Sequence, residues 1–233
     1  MKRKNTRKIS NTEKIIDADV VKEKIGTTKK KTSADKKIVP KKNINRSRKK
    51  NEKNDVQDSI LPPPVDWHTW LMQGVYWVAS KSKDPKTRIG AIIVKDNRII
   101  STGYNGIPAG VNDLVEERNT RPNKYFWYEH AERNAILSAA HNGISTEGAA
   151  MYTNGVPCID CARSIIQSGI KQVYVHSGFT YLCQQAIESK QREHWKGHDD
   201  ITSLLFQESG VQMLSLDGVL GMRGFFNGVM YDV

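Results

Sequence analysis

The chain divides near residue 59, where the pattern of apolar and polar positions changes. Residues 1–58 show no sustained hydrophobic period and contain no aromatic residue. Such a segment cannot bury enough apolar surface to offset its chain entropy, so we predict that it is disordered. The sequence "LPPPVDW" (61–67) predicts an extended linker, because consecutive prolines favour an extended backbone. We therefore predict a tail over 1–58 and one folded domain over 59–233.

After the linker, segments with helical spacing alternate with short runs that are typical of strands. Helical spacing predicts helices in the segments 66–80, 129–143, 157–169 and 199–210. Asp66 is the predicted N-cap of the first helix, and Pro157 is predicted at the first position of the third. Strands are predicted in 88–104, which a turn at Asp96 and Asn97 divides in two, and in 149–154, 171–176 and 211–216. Strands that alternate with helices indicate a mixed sheet covered by helices, an α/β layered domain.

Charge separates the two parts of the chain as clearly as hydropathy does. Residues 1–58 hold 20 Lys and Arg against 8 Asp and Glu, a net of +12, whereas the remaining 16 and 17 leave 59–233 at −1. The basic character therefore belongs to the predicted tail, whose contact with nucleic acid would be non-specific and through phosphates. The run "KKNINRSRKK" (41–50) also fits a nuclear import signal, and we leave its role open.

The three cysteines, Cys158, Cys161 and Cys183, do not make the even-numbered set of a disulfide framework. A short-spaced pair in a reducing compartment is more often a metal or redox site. No apolar run is long enough to span a bilayer, and no signal-peptide core follows Met1. We therefore predict a soluble, cytoplasmic protein with no membrane partner.

Two short motifs at predicted helix starts carry the candidate chemistry. "PCIDC" (157–161) places Cys158 and Cys161 on one side of a first helical turn, where the helix N-terminus favours thiolates. With the imidazole of His130 they would bind zinc through three ligands and keep a fourth position open, as catalytic zinc sites do. Glu132 can carry protons beside such a metal. Because a regular helix would separate residues two apart, we predict that His130 lies at the helix cap.

The H-x-E and P-C-x-x-C motifs together are the signature of zinc-dependent nucleobase deaminases. Four segments then occur in order: "SKDPKTRIGAIIV" (82–94), "GYNGIPAG" (103–110), "HAERNAI" (130–136) and "PCIDCARSIIQSGI" (157–170). Together they closely resemble the deoxycytidylate (dCMP) deaminase family over residues 65–175. The alternative, a buried histidine with two packing cysteines, does not account for both motifs standing at helix starts.

The resemblance implies the cytidine-deaminase-like fold, a three-layer α/β/α domain with a central mixed sheet. It also implies zinc-dependent hydrolysis of dCMP to dUMP and ammonia, which feeds thymidylate synthesis. His130, Cys158 and Cys161 would be the zinc ligands, and Glu132 would be the catalytic proton carrier. Many family members are hexamers regulated by dCTP and dTTP. We therefore expect a homo-oligomer, a hexamer or a dimer, and leave control by these effectors open.

The resemblance further implies contacts to the nucleotide. The backbone of Ala131 would meet the base edge, and Asn105 of "GYNG" would hydrogen-bond the sugar, although Asn-Gly turns are common without a ligand. Ser82 and Lys83 are the predicted contacts to the phosphate, because cations and a hydroxyl cluster before the first strand. The alternative for these two residues is a solvated polar loop.

Residues 177–200 depart from the family, because this stretch is longer and more charged than a short member needs. Phe179 and Tyr181 begin the stretch, where the family often places an aromatic side chain over the pocket. We interpret Cys183 as an ordinary buried thiol rather than a ligand. The departure leaves subunit contacts and effector response open.

Two other functions fit part of the sequence. A deaminase of tRNA adenosine or of cytosine in a single-stranded polynucleotide would share the zinc signature and could use the tail as a phosphate-binding arm. Against it, the folded part is near neutral and the tail has no aromatic residues on which bases could stack. An inactive zinc-bearing regulatory module is the other alternative, and the intact Glu132 argues against it.

Overall fold

The computed structural model describes residues 64–190 and 195–233. The predicted disordered tail over 1–58 and the boundary at residue 59 lie outside the described residues, and both stay predictions. In chain order the elements are α1 (Trp67–Ala79), β1 (Gly90–Lys95), β2 (Arg98–Tyr104), a 3-10 turn (Glu116–Asn119), α2 (Lys124–Trp127), α3 (Ala131–His141), β3 (Ala150–Thr153), α4 (Ile159–Gln167), β4 (Gln172–His176), α5 (Ser177–Glu188), α6 (His198–Ser209), β5 (Gln212–Leu216), β6 (Arg223–Phe226) and β7 (Val229–Asp232).

The predicted hairpin is formed by β1 and β2, which pair antiparallel. Asp96 and Asn97 connect them with φ of 50° and 58°, a left-handed conformation that Asp and Asn tolerate better than most residues. β1 is buried along almost its whole length, as expected for a strand with neighbours on both sides. The turn chemistry therefore gives the hairpin its position in the chain.

The central sheet has five strands in the order β2-β1-β3-β4-β5. β1 pairs antiparallel with both β2 and β3, whereas β3, β4 and β5 are parallel to one another. The prediction of a mixed sheet is therefore confirmed. Parallel neighbours require crossover connections, and helices supply them between β3 and β4 and between β4 and β5.

Helices cover both faces of this sheet. Successive side chains of a strand point to opposite faces, and on β1 Ala91 and Ile93 join one core cluster while Ile92 and Val94 join another. The first cluster contains buried residues of α3, α4 and α6, and the second contains the buried face of α1. The predicted three-layer α/β/α arrangement is confirmed.

The start of α1 follows the sequence signal. The Asp66 carboxylate accepts hydrogen bonds from the amides of His68 and Thr69 at 3.0 and 3.1 Å, which is the predicted N-cap. Such a cap is worth about 1 kcal/mol. The opposite side of the helix leaves three tryptophans partly exposed, Trp67, Trp70 and Trp77.

Five elements were not predicted from the pattern: the 3-10 turn, α2, α5, β6 and β7. α5 occupies the first half of the stretch that departs from the family. β6 and β7 form a C-terminal hairpin whose turn is Asn227-Gly228, with φ of 50° and 85°. Asn-Gly is the strongest short-range hairpin signal, so this second hairpin was readable from the sequence. Among the described residues, no helix has the length and apolarity that a bilayer crossing requires.

Candidate active site

The histidine and the glutamate of "HAERNAI" lie at the start of α3. His130 is the N-cap residue with extended backbone angles, φ −81° and ψ 154°, which confirms its predicted place. Glu132 falls in the first helical turn and is 94% buried, since only 6% of its surface is exposed. The change of backbone direction at the cap allows both side chains to face one cavity although they are two residues apart.

The two cysteines lie at the start of α4 in the equivalent way. Cys158 is the N-cap residue and Cys161 belongs to the first turn, so Pro157 precedes the cap rather than taking the first helical position that we predicted. The Nδ1 atom of His130 lies 3.4 Å from Cys158 Sγ and 3.5 Å from Cys161 Sγ. The ligand atoms of these three residues all lie within 4.8 Å of one another.

These separations fit a zinc ion. Tetrahedral zinc with Zn–S of about 2.3 Å and Zn–N of about 2.0 Å would place sulfur and nitrogen about 3.5 Å apart. The observed distances from His130 Nδ1 to the two sulfurs have that length. Glu132 approaches the cluster as a neighbour, with its Oε2 3.6 Å from Cys161 Sγ. Three ligands and an adjacent carboxylate are the donor set of a catalytic zinc site.

The titration behaviour of the cluster favours metal binding. A hydrogen bond from Cys161, helped by His130, lowers the pKa of Cys158 to about 3, which favours the thiolate form that binds a metal. The same hydrogen bond, together with burial, raises the pKa of Cys161 well above its ordinary value. Burial raises the pKa of Glu132, which suits a group that must both accept and return a proton.

A cavity of about 140 Å³ opens onto this cluster. Its wall combines the zinc-ligand end, the loop before β1, α2 and α5, and the lining residues include His130, Ala131, Glu132, Cys158, Asp84, Thr87, Asn105, Arg121, Lys124, Tyr125, Tyr128, Phe179, Cys183 and Trp195. The indole of Trp195 lies near the imidazole of His130, with ring centroids 5.9 Å apart. The cavity therefore joins a polar reactive end to aromatic walls, as nucleotide pockets commonly do.

A buried ion pair stabilises one side of the cavity. The Lys124 ammonium lies 2.6 Å from Asp84 Oδ2, and the two side chains are only 7% and 2% exposed. Asp84 Oδ1 accepts hydrogen bonds from the amides of Lys86 and Thr87, so both of its oxygens are engaged. The pair fixes the loop before β1 against α2. The pair was not predicted from the sequence, because its partners are 40 residues apart and nothing in the segment 82–94, which contains Asp84, indicates Lys124 as a partner.

The predicted substrate contacts divide into two groups. Ala131 and Asn105 line the cavity with the zinc cluster. Asn105 already donates through Nδ2 to Asp84 and to the carbonyl of Thr87, and its Oδ1 accepts from the amide of Ile89. Only the second lone pair of Oδ1 remains for a sugar hydroxyl. The contact between Asn105 and the sugar stays a prediction.

Ser82 and Lys83 are not brought to the cavity. Ser82 is buried, and its hydroxyl donates to the carbonyl of Asn105 and accepts from the amide of Asp84. Lys83 is largely exposed, pairs with Asp113 at 2.6 Å, and lines a second depression around the "GYNGIPAG" segment. The geometry thus gives both residues structural or surface contacts, and their predicted role at the phosphate has no support from it.

Of the residues in the departing stretch, Phe179 lines the cavity and is 3% exposed, as expected for an aromatic side chain over the pocket. Tyr181 is 61% exposed and is absent from the cavity wall, so the expectation for it is wrong. Cys183 is half-buried, lines the cavity, and is outside the metal-ligand cluster.

Comparison with known proteins gives a consistent result. The family described as "Cytidine and deoxycytidylate deaminase zinc-binding region" matches residues 65–177. The uncharacterized deaminase of the luxG 3′ region of Aliivibrio fischeri is 37% identical over 147 residues, which cover 63% of this chain and 91% of that protein. Mouse deoxycytidylate deaminase is 41% identical over 115 residues, 47% of this chain and 64% of the mouse protein.

Among solved structures, the cyanophage S-TIM5 dCMP deaminase in complex with dCMP and dUMP aligns with 64% of this chain and 96% of its own, at 25% identity and a TM-score of 0.48. With the fold and the His-Cys-Cys cluster in place, the sequence relatives settle the class. The chain belongs to the cytidine and deoxycytidylate deaminase family.

Proposed function

We propose that this protein is a zinc-dependent hydrolase that converts dCMP to dUMP and ammonia. The observation that carries the proposal is the convergence of His130, Cys158 and Cys161 beside the buried carboxylate of Glu132. The mouse relative is named a deoxycytidylate deaminase, and the family match covers both motifs. Because the chain spans 64% of that relative's length, the substrate is part of the proposal.

His130, Cys158 and Cys161 would hold the zinc. When bound, zinc would supply the Lewis acidity that lowers the pKa of water towards neutrality. Glu132 would then take a proton from the attacking water and deliver it to N3 of the cytosine ring. The same carboxylate would next take the proton of the new C4 hydroxyl and pass it to the leaving amine as the C4–N bond breaks. Oxygen from water replaces nitrogen at C4, and ammonia is released.

The surroundings of Glu132 support this role. Burial raises the pKa of the carboxyl, which favours a group that both accepts and returns a proton. Ala131, the neighbour of Glu132 in the chain, lines the same cavity, and its backbone would meet the base edge. Phe179 and Trp195 contribute aromatic faces to the same cavity, which suits a planar pyrimidine.

A homo-oligomer, a dimer or a hexamer, belongs to the same proposal, as do dCTP and dTTP as effectors and a supply role in thymidylate synthesis. The cytoplasmic location remains a prediction from sequence.

A substrate panel tests the proposal. Ammonia release by the full-length protein would be measured with dCMP, CMP, dCTP, deoxycytidine, a cytosine-containing oligonucleotide and adenosine-containing tRNA. We expect the highest kcat/KM with dCMP. A higher kcat/KM with the oligonucleotide or the tRNA would contradict the proposal and favour a nucleic-acid deaminase. Absence of turnover on every substrate, with full zinc content, would instead favour an inactive module.

A further inference from the structure

We propose that Arg121 binds the 5′-phosphate of the nucleotide substrate. The inference rests on the proposed function and deepens it, because it names the phosphate anchor of the site. Arg121 lines the cavity that also contains His130 and Glu132, so a ligand in the cavity can reach both the reactive end and the guanidinium.

The charged residues along the cavity wall favour Arg121 as the phosphate contact. Arg121 and Lys124 are the two described lining residues with a permanent positive charge. The Lys124 ammonium is 2.6 Å from the buried carboxylate of Asp84, so its charge is balanced within the protein. A phosphate beside this pair would gain little net attraction, because the Asp84 carboxylate repels it as Lys124 attracts it.

Arg121 is in a different situation. Its side chain is exposed, and within residues 64–190 and 195–233 no carboxylate lies in ion-pair distance of its guanidinium. A guanidinium presents its donors in a planar fork that matches two phosphate oxygens at once. A guanidinium on the wall of this cavity with no described carboxylate as its partner is therefore suited to a phosphate group. Besides Asp84 and Glu132, the cavity is lined by one more described acidic residue, Asp199, at the start of α6.

The segment around Arg121 is held in place by its neighbours. The Arg118 guanidinium lies 4.0 Å from the centroid of the Trp127 ring, and the Tyr128 hydroxyl donates to Asn119 Oδ1 at 2.5 Å. The amide of Lys124 donates to the carbonyl of Thr120 at 2.8 Å. These contacts brace both sides of residue 121. A braced backbone lowers the ordering cost when the side chain engages an anion.

The predicted phosphate contact at Lys83 is the natural competitor, and its geometry is unfavourable. Lys83 lines the second depression rather than the cavity, and its ammonium is paired with Asp113. Its charge is therefore compensated, whereas no carboxylate of the described residues lies in ion-pair distance of Arg121.

The test compares substrates with and without the phosphate. Arg121→Gln, Arg121→Lys and the control Arg98→Gln would be assayed as full-length, zinc-loaded proteins on dCMP and on deoxycytidine. Arg98 is an exposed arginine at the start of β2 that lines neither cavity. We expect Arg121→Gln to raise KM for dCMP roughly 10- to 100-fold with kcat changed less than about threefold. For Arg121→Gln, kcat/KM on deoxycytidine should stay within about twofold of the wild type. Arg121→Lys should recover part of the affinity for dCMP, because lysine keeps the charge without the planar fork. The control Arg98→Gln should match the wild type on both substrates.

An unchanged KM for dCMP in Arg121→Gln, or an equal loss on both substrates, would overturn the inference. The second outcome would assign Arg121 to the structure of the site in general. If the wild type does not deaminate dCMP, the proposed function fails, and equilibrium binding still decides the phosphate question. Titration calorimetry with dCMP and with deoxycytidine should then show an affinity gap in the wild type that Arg121→Gln abolishes. A gap of equal size in both proteins would overturn the inference independently of turnover.

Discussion

The ring of Phe179 meets the ring of Phe226 edge to face, with centroids 5.4 Å apart. This contact joins α5, which supplies part of the cavity wall, to the C-terminal hairpin. The hairpin also holds the loop before β1, because Arg88 donates its amide to the carbonyl of Phe225 and Gly228 donates to the carbonyl of Lys86. Two elements beyond the family-matched range 65–177 thus brace the cavity together.

Removing this contact should weaken both the fold and the site. We expect Phe226→Ala to lower the free energy of unfolding by about 3 kcal/mol, the lower end for a buried Phe, because its cluster is small. We also expect a several-fold increase of KM for dCMP, since the hairpin positions the loop that carries Asp84 and Thr87. Urea unfolding and steady-state kinetics measure the two effects. Val229→Ala, on the exposed side of the same hairpin, is the control and should cost less than about 0.5 kcal/mol.

The metal cluster predicts a clear separation among the three cysteines. The double substitution Cys158→Ser and Cys161→Ser should abolish zinc binding and lower stability, because metal binding energy is also folding energy. Cys183→Ser should keep one zinc per chain, because Cys183 is outside the cluster although it lines the cavity. Elemental analysis of the purified proteins measures the metal content. Full zinc in the double variant would refute the ligand assignment.

The proposed proton carrier predicts loss of turnover without loss of metal. Glu132→Gln keeps the shape of the side chain but cannot exchange protons, so kcat on dCMP should fall about 10²- to 10⁴-fold. Zinc content and thermal unfolding should remain close to those of the wild type, since Glu132 is not a ligand in the proposal. Glu208→Gln, an exposed residue near the end of α6, serves as the control. More than about a tenth of wild-type kcat in Glu132→Gln would exclude the shuttle role.

The basic tail predicts a result that distinguishes nucleotide from nucleic-acid substrates. Removing residues 1–58 takes away a net charge of +12 and leaves all described cavity residues in the chain. We expect the 59–233 fragment to deaminate dCMP with little change in kcat/KM. Any DNA or RNA binding by the full chain should weaken steeply with salt, because it would depend on counterion release.

We would measure kcat/KM of the full chain and of the 59–233 fragment at two salt concentrations. The substrates would be dCMP and a cytosine-containing oligonucleotide. Loss of dCMP turnover in the fragment, with normal zinc content and thermal unfolding, would mean that the tail takes part in the reaction.

The sequence predicted those parts of the fold and the site whose signals are local. The Asp96-Asn97 turn, the Asp66 cap and the two motifs at helix starts each act within a few residues, and the structure contains the predicted local feature at each of them. The Asn227-Gly228 turn has the same chemistry and was readable, although it was not predicted. α5 was harder to predict, because no side-chain cap marks its start at His176.

Contacts between distant residues set the limit of the sequence interpretation. The packing of the loop before β1 against α2 determines the Lys124–Asp84 pair. The same packing keeps Ser82 and Lys83 outside the cavity. Neither a hydrophobic period nor a motif predicts the orientation of a single lysine side chain in that packing. The cluster of His130, Cys158 and Cys161 was therefore predicted by residue, whereas the rest of the cavity wall required the structure.

His130 and Cys158 both occupy the N-cap position of a helix, and neither side chain makes a capping hydrogen bond to its own helix. Each helix thus forgoes about 1 kcal/mol that a Ser or Asp would provide at that position. Without metal, amide hydrogen exchange at the first turns of α3 and α4 should consequently outpace exchange at their middle turns, and zinc should slow it at both ends together. The metal would then stabilise together the first turns of two helices whose N-cap residues lie 28 residues apart in the chain.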